Sequence, residues 1–303
     1  MAITLRQMTY FAALAEHRTF NRAAEACHVS QPALSVQIRE LEDRLGDRLV
    51  ERGARGAVLT RFGREVLARV KRTLAAARDV EAAAYAHGVL SGTLRLGLIP
   101  TVAPYLLPGV AEGLRARDLT LDIRVIEAKT DRLVAELADG EIDAAVLAIP
   151  AGGDKLCHRP LASDRFLLAG SRRRIAEFDL AAPQPGALGP DQLLLLEDGH
   201  CLSDQALEIC ARDRMHDRIE MTASSLSTLV RMSAAGFGLT LVPETAVAVE
   251  SAGLDDLALR RFAEPQPERR LGLFRRRATP ETGWFSDLAD IVADAARTAI
   301  AAA

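Results

Sequence analysis

The periodicity of apolar residues changes character once along this chain, near residue 92, and that break limits the folds open to it. Before the break the pattern is helical. Leu5, Met8, Phe11, Ala12 and Ala15 recur at helical spacing. Thr19 stands as an N-cap before a second segment through Arg22, Ala23, Ala24, Glu25 and Ala26, and His28-Val29 reads as a short turn. Ser30 is the next N-cap, with Pro32 inside the first turn, where a missing N–H is harmless. Leu34, Ile38, Leu41 and Leu45 then advance by four, three and four, and Gly46 ends the helix. Residues 49–61 hold two short extended pieces around a Gly/Arg turn, the form of a wing. From Phe62 to about Tyr85 a long Ala-rich helix is predicted. Leu67, Val70, Leu74, Ala77 and Ala84 occupy its a and d positions and Glu81 interrupts them, a short seam suited to pairing with a twin helix. Gly88 to Gly92 reads as a linker.

After residue 92 strands and helices alternate, the signature of an α/β domain. Strands are predicted at 93–99, 119–127 (Leu121, Ile123 and Val125 inward), 142–149, 165–170, 192–197, 218–223, 238–243 and 270–276. Helices are predicted at 103–117, from a Thr130 cap to 139, at 203–213, at 225–235 and from Pro280 onward.

A length of 303 residues allows two or three folding units, and 49 % hydrophobic with 26 % charged residues is enough to bury their cores. Apolar runs such as Leu193 to Leu196 are far too short to cross a bilayer, and the N-terminus shows no secretory pattern, so no membrane contact and a cytoplasmic location are expected. The formal charge of −3 is unevenly spread. Residues 1–64 carry ten arginines and seven acids, a net of +3, which leaves −6 on the remainder. A basic end on an acidic body confines phosphate contacts to the N-terminal domain.

Two short helices joined by a tight turn can project the second into a DNA major groove. On the helix opened by Ser30, the apolar face of Leu34, Ile38 and Leu41 turns inward. Ser30, Gln31, Ser35, Gln37 and Arg39 are left to meet base edges or phosphates, and Arg52 and Arg55 on the wing suit the flanking backbone or minor groove. Any small helical bundle has polar faces of this kind, so the pattern alone leaves a plain structural bundle equally open. The run Phe20 to Ser35, followed by Ile38, Leu41-Glu42, Leu45-Gly46, Leu49, Arg52 and Leu59-Thr60, resembles the signature of LysR-type transcriptional regulators. The resemblance spans the whole chain. It implies an α+β multidomain protein: a winged helix-turn-helix over 1–61, a dimerising linker helix over 62–90, and a two-lobed, periplasmic-binding-protein-like effector domain over 91–303. Lobe I would hold about 91–163 and 269–303, and lobe II about 164–268. It further implies double-stranded operator DNA and RNA polymerase as partners, Arg22, Ser30, Gln31, Pro32, Ser35, Gln37, Arg39, Arg52 and Arg55 at the DNA, a homodimer or homotetramer, and no cofactor.

The four cysteines are Cys27, Cys157, Cys201 and Cys210, and in a cytoplasmic chain they are not expected to form structural disulfides. Cys27, among alanines, reads as a small core residue, His28 as a turn residue, and Cys157 as a buried thiol near a strand. Cys201 follows a strand and opens a helix, whose N-terminus should favour the thiolate, and a protonated His200 would push the same way. A thiolate attacks peroxide to give a sulfenic acid, and Cys210 is close enough in sequence to resolve it. Nine residues of helix rise about 13 Å, whereas disulfide Cα atoms lie roughly 4.4–6.8 Å apart. Joining the two thiols therefore requires the helix between them to unwind. Two inert core thiols remain an alternative. Zinc is disfavoured, because His200, Cys201 and Cys210 supply three ligands without C-x-x-C spacing.

The stretch Glu197-Asp198-Gly199-His200-Cys201-Leu202, with Asp204-Gln205-Ala206 and Cys210, resembles the redox motif of the hydrogen-peroxide-sensing activators within the LysR type. Gly97 to Val102, Pro104 to Pro108 and Glu127 to Thr130 resemble the same group. The resemblance implies Cys201 as peroxidatic thiol, Cys210 as resolving thiol, and Thr101, Thr130, His200, Asp204 and a basic residue, Arg269 in preference to Arg270, around the peroxide. It also implies glutaredoxin or thioredoxin as reductant. Plain roles stand beside these: Thr101 and Thr130 as helix caps, Arg269 as a solvated charge. The expected function is a peroxide-responsive activator of oxidative-stress genes rather than an enzyme. A regulator answering a small organic effector, or a thiol peroxidase, are the competing readings.

Overall fold

The computed structural model describes residues 3–53, 56–85, 92–117, 121–177, 183, 193–210, 222–279, 281 and 283–303. The chain divides into two compact units, one built on residues 1–85 and the other on the bulk of 86–303.

In the first unit, α1 (Leu5–His17), α2 (Phe20–Ala26) and α3 (Gln31–Leu45) precede β1 (Val50–Gly53), β2 (Gly56–Leu59) and the long α4 (Arg61–Tyr85). The caps follow local chemistry. The hydroxyls of Thr19 and Ser30 accept from the N–H groups of Arg22 and Ala33, and Gly46 closes α3 at φ 81°. Phe11, Leu14, Leu34, Ile38, Leu41 and Leu49 form the core. Two polar side chains shape the wing. Glu42 accepts from the N–H of Leu49 at 2.8 Å and of Val50 at 3.2 Å, and Thr60 accepts from Gly63 N–H at 2.8 Å, capping α4. Gly56 sits at φ 115°, and a Cβ there would fall 2.3 Å from the Arg18 carbonyl oxygen, so only glycine lets the wing approach the α1–α2 turn. The expected α4 seam is partly used within the chain: Val66 and Val70 are buried in this core, and Leu67 and Leu74 pack on it. The Gly88–Gly92 linker lies almost wholly outside the described residues.

The second unit contains β3 (Gly92–Leu98), α5 (Ala103–Ala116), β4 (Leu121–Glu127), α6 (Thr130–Ala138), β5 (Ala144–Ile149), β6 (Leu156–Ser171), α7 (Arg172–Ala176) and β7 (Leu195–Leu196). These are followed by α8 (Cys201–Ile209), β8 (Thr222–Ala223), α9 (Leu226–Ala234), β9 (Thr240–Pro243), α10 (Glu244–Glu250), β10 (Leu257–Arg261), β11 (Glu268–Arg276) and α11 (Trp284–Ala301). Seven strands form a mixed sheet in the order β10-β6-β11-β5-β3-β4, with β9 also on β6. β3 runs parallel to β4 and β5, and β11 antiparallel to β5 and β6.

The sixteen-residue β6 organises this unit. Nine of its first ten residues pair with β11, with Leu161 passed over at a bulge, and from Phe166 onward it pairs with β9 and β10. One strand thus serves two sets of partners, which change over between Arg165 and Phe166. Sequence reading found only the apolar second half of β6, because 156–164 is broken by Pro160 and charged residues. It also missed β10 and the short helices α7 and α10. The strands expected at 192–197 and 218–223 reduce, among the described residues, to the two-residue parallel pair β7–β8. Val125, expected inward, is 42 % exposed, because β4 is the edge of the sheet and its packed residues are Ile123 and Ile126. A polar contact joins α5, α9 and α10. Buried Glu250 accepts from the Tyr105 hydroxyl at 2.7 Å and from Ser227 at 2.8 Å, and burial with that carboxylate pushes the phenol pKa far up.

Candidate redox site and recognition helix

The antiparallel register of β6 and β11 sets Asp164 directly opposite Arg269. Both side chains are fully buried. Asp164 Oδ2 accepts from Arg269 Nε and Nη2, each at 2.9 Å, and the carboxylate also accepts from the backbone N–H of Thr245 at 3.0 Å and its hydroxyl at 2.8 Å. The guanidinium continues to Thr101, donating to its hydroxyl at 2.9 Å and its carbonyl at 3.0 Å. A buried ion pair endures only when most of its remaining lone pairs and protons are engaged, and these contacts take up all but one Nη1 proton of the guanidinium. Side chains alternate along a strand, so buried Arg269 and exposed Arg270 face opposite ways. The solvated role for Arg269 is therefore overturned, as is capping by Thr101, whose hydroxyl is held by Arg269.

Cys201 is the first residue of α8, two residues before the predicted helix start at 203, with buried His200 as N-cap. A cavity of about 620 Å³ is lined by Thr130, Cys201, Asp204, Gln205 and Arg269, among others. Thr101 reaches that wall through Arg269, and His200 immediately precedes Cys201. Thr130 begins α6, but its buried hydroxyl makes no conventional hydrogen bond and so does not cap the helix. The group that feels it is the Cys201 sulfur, whose thiolate it favours. The buried Gln205 Oε1 likewise has no hydrogen-bond partner.

Two electrostatic expectations are reversed. Burial pushes the Cys201 thiol above the ordinary cysteine value. Arg269, the Thr130 hydroxyl and the Leu202 N–H oppose this, and the exposed carboxylate of Asp204 adds to it. The helix N-terminus alone does not make the resting thiol anionic. Nor does His200 help by carrying a proton: burial and the neighbouring Lys129 hold its pKa down, with Glu197 opposing.

Cys210 caps the other end of α8, 1 % exposed, its N–H bonded to the Ala206 carbonyl at 3.0 Å. Neither thiol is in a disulfide, and the helix between them is intact from 201 to 209; residues 211–213 of the predicted helix lie outside the described residues. Ser203 is buried and donates to the Leu196 carbonyl at 2.8 Å, tying the first turn of α8 to β7. Asp164, Thr245 and Ser203 carried no signal in the sequence, since each acts through a partner distant along the chain or through burial. Cys157 lies half-buried on β6 opposite Arg275, and Cys27 is half-buried against the first core, with its thiol pKa raised by desolvation. His28 takes φ 54°, as a turn residue does. Among the described residues no His/Cys/Asp/Glu group could hold a metal ion.

On α3, Gln31 donates to Ser35 at 2.8 Å and Gln37 to Glu40 at 3.1 Å, while Ser30, Pro32, Arg39 and the α2 residue Arg22 are exposed. Arg52 lies on β1 opposite Ala57, and Arg55 is outside the described residues.

Comparison with known proteins places this geometry in context. The family description "Bacterial regulatory helix-turn-helix protein, lysR family" matches residues 5–64, and "LysR substrate binding domain" matches residues 87–297. The hydrogen peroxide-inducible genes activator of Dickeya chrysanthemi is 38 % identical over 298 residues, covering 96 % of this chain and 95 % of that protein. The DNA-binding transcriptional dual regulator OxyR of Escherichia coli K12 is 37 % identical with the same coverage. Among solved structures, a full-length OxyR variant of Pseudomonas aeruginosa matches with a TM-score of 0.79 at 30 % identity, covering 98 % of each chain. A peroxide-bound OxyR mutant of Corynebacterium glutamicum matches with a TM-score of 0.67 at 33 % identity, covering 100 % of this chain and 95 % of that one.

Proposed function

The chain belongs to the LysR family of bacterial helix-turn-helix regulators, and we propose that it is a hydrogen-peroxide-sensing transcription activator switched by a disulfide between Cys201 and Cys210. The observation that carries this reading is the position of Cys201: in a cavity walled by Arg269 and Thr130, at the start of a helix whose far end buries a second thiol.

The chemistry follows from these side chains. The Cys201 thiol loses its proton as its sulfur attacks one oxygen of hydrogen peroxide. The O–O bond breaks, and the departing oxygen takes up that proton and leaves as water. Arg269 and Thr130 favour the anionic sulfur and are placed to donate toward the departing oxygen. The Cys210 thiol then attacks the sulfur of the sulfenic acid, releasing a second water and forming the disulfide. Because α8 holds the thiols about 13 Å apart along its axis, that step requires its unwinding, so oxidation is obligatorily conformational. Asp204 lines the same cavity, and His200 fixes the start of the helix.

The domain assignment is 1–61 for the winged helix-turn-helix, 62–90 for the linker helix and 91–303 for the sensor, with lobes exchanging at 163/164 and 268/269. The change of strand partners along β6 and the two family matches support it. Operator DNA would be met by α3 and the wing, through Ser30, Gln31, Ser35, Gln37, Arg39, Arg52 and Arg55, with Arg22 and Pro32 at its edge. We further take the protein to act in the cytoplasm as a homodimer or homotetramer, with RNA polymerase as target and glutaredoxin or thioredoxin as reductant. Among the described residues no helix is long and apolar enough to cross a membrane.

Mass spectrometry of the full chain after mild peroxide treatment tests the reading. The expected product is a Cys201–Cys210 disulfide, absent in Cys201→Ser, and with it peroxide-induced transcription. Induction that persists in Cys201→Ser would overturn it, and induction by an organic ligand with both thiols free would replace it.

A further inference from the structure

Two consecutive residues of the β4–α6 junction bear on the Cys201 segment. Thr130 lines the same cavity as Cys201 and favours its thiolate. Lys129, which the thiol chemistry leaves unused, reaches the turn that precedes it. The Lys129 carbonyl accepts from Leu133 N–H at 3.1 Å, so its backbone is part of the start of α6. Its ammonium donates to the backbone carbonyl of Asp198 at 2.5 Å. The next residue, Gly199, takes φ 85°, and a Cβ there would fall 3.1 Å from Lys129 Cδ, so the lysine stem lies along the turn as well. His200 then caps α8 and Cys201 begins it.

We propose that Lys129 is a positioning residue that clamps the 198–200 turn and sets the rate at which oxidised Cys201 leaves its cavity for Cys210. The inference rests on the reading of Cys201 and Cys210 above. The clamp acts on the second chemical step: sulfenic acid plus the Cys210 thiol gives disulfide plus water, and this step cannot occur while α8 is intact. Unwinding the first turn of α8 moves its N-cap and the turn before it, so the Lys129–Asp198 hydrogen bond is among the contacts that must break. A charge-assisted bond to a backbone carbonyl at a partly solvated site retards such a step several-fold. The same ammonium adds to burial in holding the His200 pKa down, with Glu197 opposing.

The test uses the full chain and the variants Lys129→Met and Lys129→Arg, each with and without Cys210→Ser. In the Cys210→Ser background, a dimedone adduct on Cys201 reports sulfenic acid formation alone, and all three should form it within about twofold of one another. With Cys210 present, Lys129→Met should close the disulfide about three- to fivefold faster, and Lys129→Arg should return close to the parent rate. Amide exchange in the reduced Lys129→Met protein should quicken at residues 197–202 and not in α11. Equal closure rates in all three, or an arginine variant no slower than the methionine one, would overturn the role of Lys129 while leaving the thiol chemistry standing. Absence of any Cys201 adduct in the parent would overturn the reading beneath it.

Discussion

Two regions of the sensor domain meet at the same cavity and are built in opposite ways. At the β6–β11 junction, Asp164 and Arg269 are buried opposite each other, their hydrogen bonds measure 2.8–3.0 Å, and Thr101 and Thr245 complete the network from separate elements. On the other side, α8 is flanked by strands of two residues, and the cavity beside it contains buried polar atoms without hydrogen-bond partners. Local stability follows the density of satisfied contacts. The charge that tunes the sulfur thus sits in the hydrogen-bonded network, and the sulfur sits on the helix beside the unpartnered polar atoms.

The comparison breaks first at Asp164. Asp164→Asn leaves the Arg269 guanidinium buried without its counter-charge, and a loss of about 3–5 kcal/mol is expected, read as a fall in the urea midpoint. A loss under about 1 kcal/mol would mean that the junction is no more rigid than a surface ion pair. The pH dependence of Cys201 oxidation probes the two sides together. Burial raises this pKa, so the second-order rate with peroxide should climb about tenfold per pH unit through and beyond the ordinary cysteine range near 8.5, measured by adduct formation in the Cys210→Ser background. Stability moves the opposite way: the contribution of the neutral thiol is complete below the unfolded cysteine pKa and is lost as pH rises through the higher folded value. A rate that levels off below pH 7 would show that Arg269 and Thr130 outweigh burial. The smallest effect belongs to Ser203→Ala, which removes one buried hydrogen bond to Leu196 and should cost about 1 kcal/mol. That loss should appear as faster amide exchange across α8 with the β6–β11 junction unchanged. Equal quickening at both would mean that the two regions open as one.

The DNA-reading unit was almost wholly legible in the sequence. Its caps at Thr19 and Ser30, its glycine stop at Gly46 and its apolar stripe are local devices, each acting within a turn or two of chain. The thiol pair was legible for the same reason, since nine residues of helix have one length wherever they occur. Other features could be decided only by the tertiary structure. Asp164 becomes the partner of Arg269 through a strand register spanning 105 residues of sequence. β6 continues through Pro160 because β11 pairs with it. The Cys201 pKa, inferred as low from its helix terminus, is raised because burial outweighs that local field. Capping and periodicity are short-range and repeat along a sequence, whereas desolvation and cross-strand pairing depend on what the rest of the chain brings alongside.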